Sequence, residues 1–316
     1  MVLVSVIMPS YNHALYISEA IESVLEQSIR DVELIIIDDC SIDNSKEIIL
    51  NHKKKDARIR TIFHEQNLGI AKTYNDGLDA AEGEFVAILD SDDVWRRNKL
   101  ERQLSLLRAN EDLVVWSEGR IIGREGKPTG QTFTQMYHAS RKRKSGDIFE
   151  ILLFDNFIFD SSLIMKKSNV DGIRFDHNLK YLNDYKFVVD LAKNFRYYFI
   201  KEQLVDYRIH GKNTITRDEE SWMKDEILVR QHFLDRYAMK SQIRADMFNR
   251  ISSTYFALGE KEHARQFILK GLSQKAINFG GLLYIIKLFN SFVGIHLLRL
   301  YYTSILLLSS KTGAQL

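Results

Sequence analysis

At 316 residues the chain has room for two domains, or for one large domain with an extension. Its 45% hydrophobic and 27% charged residues are those of a globular protein that buries a sizeable core. A net charge of +2 offers no broadly basic surface to nucleic acid, and the single Cys40 excludes an intrachain disulfide framework and favours a reducing, cytoplasmic compartment.

Met1 to Ile7 lacks the basic start of a signal peptide. A β-branched run over 2–8, closed by Pro9, reads as the first strand, and Ser10-Tyr11-Asn12-His13 as a polar turn. Over 14–28, Ile17, Ala20, Ile21, Val24 and Leu25 recur at helical spacing. A second strand, 32–37, ends in Asp38-Asp39, after which Ser41 or Asp43 can cap a helix running to about residue 54. A third strand covers 59–64, Asn67-Leu68-Gly69 turns the chain, and a helix over 70–81 stops before Gly83.

The run 84–89 then meets three carboxylates, Asp90, Asp92 and Asp93. A continuous apolar run ending abruptly in charge predicts a strand covered on both faces, as in a parallel sheet. The carboxyl ends of such strands are where open α/β sheets hold ligands. Carboxylates gathered there repel one another, so a divalent cation completed by phosphate oxygens is the natural counter-charge; a solvated turn is the plainer alternative for an isolated pair. Strands alternating with helices imply βαβ units and a mostly parallel, twisted sheet. No glycine-rich loop follows the first strand, which disfavours a dinucleotide fold and a P-loop.

The segments Val6-Ile7-Met8-Pro9-Ser10-Tyr11-Asn12, Glu33 to Asp43, Asn67-Leu68-Gly69, Asn75-Asp76-Gly77-Leu78 and Gly83 to Trp95, in that order, resemble family 2 glycosyltransferases over roughly the first 110 residues. The resemblance implies an α/β chain of the GT-A fold and an inverting, metal-dependent enzyme. It implies that Asp39 meets the base and ribose, with Pro9, Tyr11, Asn12 and Asn67 beside it on the donor. It implies that Asp90 faces the nucleotide and that Asp92 holds Mn²⁺ or Mg²⁺. Tyr74 departs from the family, where an arginine commonly precedes the asparagine, and Lys72 nearby is the expected substitute donor contact.

A helix is predicted over 95–109, with Leu100, Leu104 and Leu107 on its apolar side, followed by strand-like 113–116 and 120–123 and a turn at 124–128. The basic run Arg141-Lys142-Arg143-Lys144 reads as a solvated loop, or as a mobile one that clamps an anionic donor or lipid phosphate. Residues 156–164 are expected under the acceptor site. Over 181–192 helical spacing places Asp184 near a helix start, where a carboxylate can be a capping residue. The resemblance makes Asp184 the general base, with Asn183 where the family typically has glutamate. Val205 to Thr214 resembles the Tyr-Arg-x-His end of the family's catalytic domain. Arg208 and His210 alternate along an extended segment and so share a side, suited to a diphosphate, with His210 near the metal.

Residues 221–275 are helix-rich, and 246–272 resembles one tetratricopeptide-type hairpin, too few for a solenoid. The apolar stretch 280–308 is broken by Lys287, Asn290, His296 and Arg299, so a spanning helix is not expected. From His263 onward there are six basic residues and no Asp or Glu. That pattern suits an interfacial helix on an anionic membrane, while packing on the catalytic domain or a homo-oligomer contact is the alternative.

The expectation is a GT-A domain with a donor half over 1–112 and an acceptor half over 113–220, then a helical, membrane-associating region over 221–316. The expected reaction moves a sugar from a nucleotide sugar, UDP-linked, to a glycan or lipid-linked acceptor in bacterial surface-polysaccharide synthesis at the inner face of the cytoplasmic membrane. Competing readings are a sugar-phosphate nucleotidyltransferase, which would need a glycine-rich basic loop after the first strand, and a non-catalytic nucleotide-sugar-binding scaffold.

Overall fold

In the computed structural model the described residues are 2–110, 112–211 and 218–274. The chain divides between Ser221 and Trp222 into two compact units. In the first, β1 (Val4–Ser10), α1 (Ile17–Leu25), β2 (Val32–Asp38), α2 (Ser45–Lys55), β3 (Ile59–Phe63), α3 (Ile70–Ala80) and β4 (Phe85–Ile88) alternate as the apolar spacing predicts. There follow β5 (Val94–Trp95), α4 (Lys99–Leu107), β6 (Leu113–Ile122), β7 (Pro128–Thr132), the single turns α5 (Phe133–Met136) and α6 (Phe149–Leu152), β8 (Ile164–Lys166), α7 (Asn183–Ala192) and β9 (Arg196–Arg208).

One mixed, mostly parallel sheet runs β3-β2-β1-β4-β8-β6-β9-β5, with β7 on the outer half of β6. Strands β1, β2 and β4 are buried at every residue, the signature of a parallel sheet covered on both faces. β2 and β3 add outward on one side of β1, whereas β4 returns to the other, so the order reverses at β1 and leaves a crevice at the carboxyl ends. Pro9 stands past the end of the β4 ladder, which closes at Ile7 opposite Ile88, so it leaves that pairing intact.

Two expected boundaries change. Residues 113–116 and 120–123 are not separate strands but parts of β6, whose parallel ladder with β9 slips register at Ser117 and Glu118. The bend absorbs the break in apolar pattern: the buried Glu118 carboxylate accepts from the Thr134 hydroxyl and amide at 2.5 and 3.0 Å. The helix expected from residue 95 begins at Lys99, because Val94 and Trp95 pair antiparallel with Asp206 and Val205. The Trp95 indole N–H donates to the Ser161 carbonyl at 2.7 Å, fixing the tryptophan in the core.

In the second unit α8 (Glu219–Arg236) precedes α9 (Ser241–Ala257) and α10 (Lys261–Leu272), which form the expected hairpin about Gly259, where φ is +81°. Phe248 and Phe267 meet inside it at 6.1 Å between centroids. The predicted features at 280–308 and the end of the Val205 to Thr214 motif lie outside the described residues. Among the described residues no helix is long and apolar enough to cross a membrane.

Candidate active site

Four chain segments separated in sequence meet at the carboxyl edge of the sheet. After β1 the backbone turns left-handed at Asn12, φ +56°, and after β2 at Cys40, φ +62°. The two turns are stitched together: the Asn12 amide donates to Ser41 Oγ at 2.9 Å, and the Ile42 amide to Asn12 Oδ1 at 2.9 Å. Asn12, expected on the donor, thus spends its carboxamide oxygen on the neighbouring loop. Tyr11 stands exposed at the rim.

The stitching aims His13 at the loop after β4. Its Nδ1 lies 2.8 Å from Ser91 Oγ and its Nε2 4.0 Å from Asp92 Oδ2. From the other side His210 brings Nε2 to 2.9 Å of the same Asp92 oxygen, its ring stacked on Tyr16 at 4.7 Å. One ligand atom from each of His13, Asp92 and His210 falls within 4.8 Å of the others, a span one divalent ion can bridge. Burial lowers the His13 pKa despite the nearby Asp92 charge, which favours the neutral imidazole a metal needs. Burial pulls Asp92 upward, but the His210 bond and the His13 and His210 charges outweigh it and hold the carboxyl below its ordinary value. Two imidazoles and a carboxylate suit a first-row divalent ion such as Mn²⁺; Mg²⁺ prefers an all-oxygen shell. The donor set therefore fits the expected metal.

The other carboxylates have different surroundings. Asp93 is pinned inward: its oxygens accept from Ser161 Oγ at 2.6 Å and the Arg208 amide at 3.0 Å. Asp90 accepts from the Tyr74 hydroxyl at 2.5 Å, and its amide donates to Ser161 Oγ at 3.1 Å. Burial, then the Asp92 charge, pushes the Asp90 pKa up to about 7. Tyr74, which stands where an arginine was expected, thus serves Asp90 as a neutral donor. Its ring stacks on Phe175 at 4.4 Å, and Phe175 on Phe187 of α7 at 4.0 Å.

That stack leads to Asp184, in the first turn of α7. Its carboxylate accepts from its neighbour's amide, Tyr185, at 2.6 Å and from Asn156 Nδ2 at 3.2 Å. It also bonds to the carboxyl of Asp160, whose Oδ1 is buried without a partner among the described residues. Burial first, and the Asp184 and Asp90 charges after it, drive the Asp160 pKa well up. Burial also raises Asp184, moving it toward the range of a working base.

The remaining expected residues fall into two groups. Arg208 is buried beneath Asp92. Its guanidinium donates to the Asp92 carbonyl at 2.9 Å, the Arg124 carbonyl at 3.3 Å and Glu19 at 2.6 Å. Contact with a diphosphate would require those bonds to be exchanged. Asp39 and Asn67 form a separate wall after β2 and β3, and Lys72 stands beside it on α3. Asn67 Nδ2 donates to the Asp39 carbonyl at 3.4 Å, and Lys72 is paired with Asp76. The basic run is partly consumed: Lys142 pairs with Asp155 at 2.7 Å and Arg143 approaches Glu118 at 3.4 Å.

Sequence reasoning passed over His13 and Asp160. For Asp160 a signal existed: it is the one charge in Phe157-Ile158-Phe159-Asp160-Ser161-Ser162-Leu163-Ile164. For His13 nothing in the polar turn after β1 marked it; only the fold brings it to Asp92.

Comparison with known proteins agrees with the fold. Residues 5–168 match the family model described as glycosyl transferase family 2. TuaG of Bacillus subtilis (strain 168), a glycosyltransferase named for teichuronic acid biosynthesis, is 32% identical over 238 residues, covering 73% of this chain and 90% of its own. WfgD of Escherichia coli, named as a UDP-Glc:alpha-D-GlcNAc-diphosphoundecaprenol beta-1,3-glucosyltransferase, is 42% identical over 120 residues, 38% of this chain and 47% of its own. Among solved structures, Staphylococcus aureus TarS 1-349 in complex with UDP-GlcNAc superposes with a TM-score of 0.64 at 22% identity, covering 86% of this chain and 81% of that one. The mannosyltransferase PcManGT of Pyrobaculum calidifontis, in complex with GDP-Man and Mn²⁺, gives a TM-score of 0.59 at 15% identity, with 95% and 83% covered.

Proposed function

The chain belongs to glycosyl transferase family 2, and on that premise we propose that it inverts an anomeric centre while moving a sugar from a UDP-sugar to a hydroxyl of a glycan or lipid-linked acceptor. The observation that carries this reading is the convergence of His13, Asp92 and His210 on one point at the carboxyl edge of the sheet. His13, Asp92 and His210 would hold a divalent ion, which would supply counter-charge to the departing diphosphate. The names of TarS's ligand and of WfgD's substrates support UDP as the nucleotide and a lipid-linked acceptor.

Asp184 takes the proton of the acceptor hydroxyl as its oxygen forms the new bond to the anomeric carbon. The bond from that carbon to the diphosphate oxygen breaks, and the electron pair leaves with the nucleoside diphosphate. One displacement inverts the centre, so no enzyme nucleophile is needed. The side-chain bond to Asp160 favours the ionised form of the base. Arg208 holds the main chain of the Asp92 loop from beneath, and Asp39 with Asn67, Tyr11 and Pro9 forms the nucleoside side. Residues 1–112 are assigned to donor binding and 113–220 to the acceptor. The basic, apolar stretch from His263 onward supports docking on an anionic cytoplasmic leaflet beside such an acceptor, in surface-polysaccharide assembly.

Asp184→Asn tests the assignment. The change is nearly isosteric, so UDP affinity measured by calorimetry with Mn²⁺ is expected to stay within about twofold, while turnover on a panel of UDP-sugars falls by about 10²-fold or more. Loss of UDP affinity instead would place Asp184 on the donor and overturn its role as base.

A further inference from the structure

Behind the nucleoside wall lies a chain of charged side chains that the transfer chemistry does not use. His64, the residue after β3, is 6% exposed in its side chain and sits between two carboxylates. Its Nδ1 is 2.7 Å from Asp39 Oδ1 and its Nε2 2.9 Å from Asp76 Oδ2. Both ring nitrogens thus lie within hydrogen-bond distance of a carboxylate oxygen. Asp76 is tied in turn to Lys72, one turn earlier on α3.

The near end of this chain defines what Asp39 can still do. Oδ1 accepts from His64 and from the Leu68 amide at 2.8 Å, which fills its two lone pairs. Oδ2 accepts from the Gly69 amide at 2.8 Å, and among the described residues from nothing else. One acceptor position therefore remains on a carboxylate whose orientation is set by three donors. The Leu68 and Gly69 amides alone leave rotation of the carboxylate opposed only by a turn in which Gly69 has φ +87°. The buried ring, anchored at its far nitrogen, removes that freedom.

We propose that His64 is a positioning residue for donor recognition, which locks the Asp39 carboxylate through Nδ1 while Asp76 anchors the ring through Nε2. This rests on the reading of Asp39 as a nucleoside contact. The inner bond sets affinity for the nucleoside diphosphate, and the outer bond keeps the ring from turning. Neither touches the transferred sugar, so the effect belongs in donor binding and not in the transfer step.

The two ring nitrogens can be tested separately. Asparagine places its amide where Nδ1 stands, and glutamine places its amide where Nε2 stands. His64→Asn therefore keeps a donor for Asp39, and His64→Gln keeps one for Asp76. UDP binding is measured by calorimetry with MnCl₂, alongside KM and kcat for UDP-sugars and a thermal melt. For His64→Gln the UDP Kd and donor KM are expected to rise about tenfold or more, the scale of a hydrogen bond to a charged group, with kcat at saturating donor within about threefold. For His64→Asn the Kd is expected within about threefold of wild type. Asp76→Asn, at a more accessible position, should raise Kd by about threefold while keeping the fold if His64→Gln does not fold. Equal Kd for wild type, both His64 variants and Asp76→Asn overturns the proposal and leaves the glycosyltransferase reading standing. Equal weakening of the two His64 variants, or loss of kcat in step with melting temperature, also overturns it, since either marks a merely structural histidine. A wild-type chain that binds no UDP overturns both the proposal and the donor reading beneath it.

Discussion

Replacing Gly77 by alanine tests how tightly the helix behind the site is pressed onto the sheet. A Cβ there would lie 2.3 Å from Ile7 Cγ2 and 2.9 Å from Ile37 Cδ1, where carbon atoms normally meet at about 3.5–4.0 Å. Both isoleucines are fully buried, in β1 and β2, and Ile7 Cγ2 is a branch methyl that cannot swing away without turning the whole side chain. Helix propensity alone favours alanine by about 1 kcal/mol. Overpacking costs about 1–3 kcal/mol, and two immobile strands put this site at the upper end. The net expectation is about 2 kcal/mol of destabilisation, or a melting temperature lower by about 4–8 °C for a unit of this size. Since α3 carries Tyr74 and also Asn75, whose side chain bonds both the amide and the carbonyl of Phe175, the displaced helix should loosen the Asp90 contact as well. Thermal and urea melts measure the loss. Gly172→Ala is the control: φ there is +77° and nothing lies within 4 Å of an added Cβ, so only the backbone penalty of about 1 kcal/mol applies. A Gly77→Ala protein that melts at or above wild type would show that α3 is not seated as described.

Lys99 is fully buried, its ammonium 2.7 Å from Gln103 Oε1 and 3.8 Å from the Trp95 ring centroid, and burial holds its pKa well below the ordinary lysine value. The unfolded chain therefore binds a proton that the folded one gives up earlier, so wild-type stability climbs with pH up to the unfolded value of about 10.4. In Lys99→Met that climb should vanish and stability at pH 7 should be unchanged or higher; urea melts from pH 7 to 10 with parallel slopes for both proteins would refute it. Tyr74→Phe keeps the stack on Phe175 but leaves Asp90 Oδ1 without its hydroxyl donor, at a cost of about 1–3 kcal/mol in urea unfolding. Equal stability of the two proteins would show that the hydroxyl contributes nothing to holding Asp90.

The alternation of strand and helix through β4 was legible because each element is decided locally. Ile17, Ala20, Ile21 and Val24 pack on one side of α1, and every residue of β2 is covered. The acidic strand end was legible for the same reason, since an apolar run cannot continue into Asp90. What the sequence hid depends on pairing at long range. His13 becomes a ligand candidate only because Asn12 and Ser41 lash two turns together. Arg208 shares the side of His210 as alternation predicts, but that side is closed by Glu19 and the Asp92 and Arg124 carbonyls. Trp95 looks helical until β9 offers it and Val94 a partner. Tyr74 read as a gap in positive charge because spacing does not show what its hydroxyl reaches.

The candidate metal cluster draws its members from opposite ends of the catalytic unit, and this sets a schedule during synthesis. His13 and Asp92 leave the ribosome early, with the parallel strands that fold on local crossovers. His210 follows Asp92 by 118 positions, roughly 6–24 s later at ordinary elongation rates. Until β9 emerges and pairs with β5 and β6, a nascent chain holds two of the cluster's members without the third. A chain cut short anywhere before β9 thus lacks the third member of the candidate cluster.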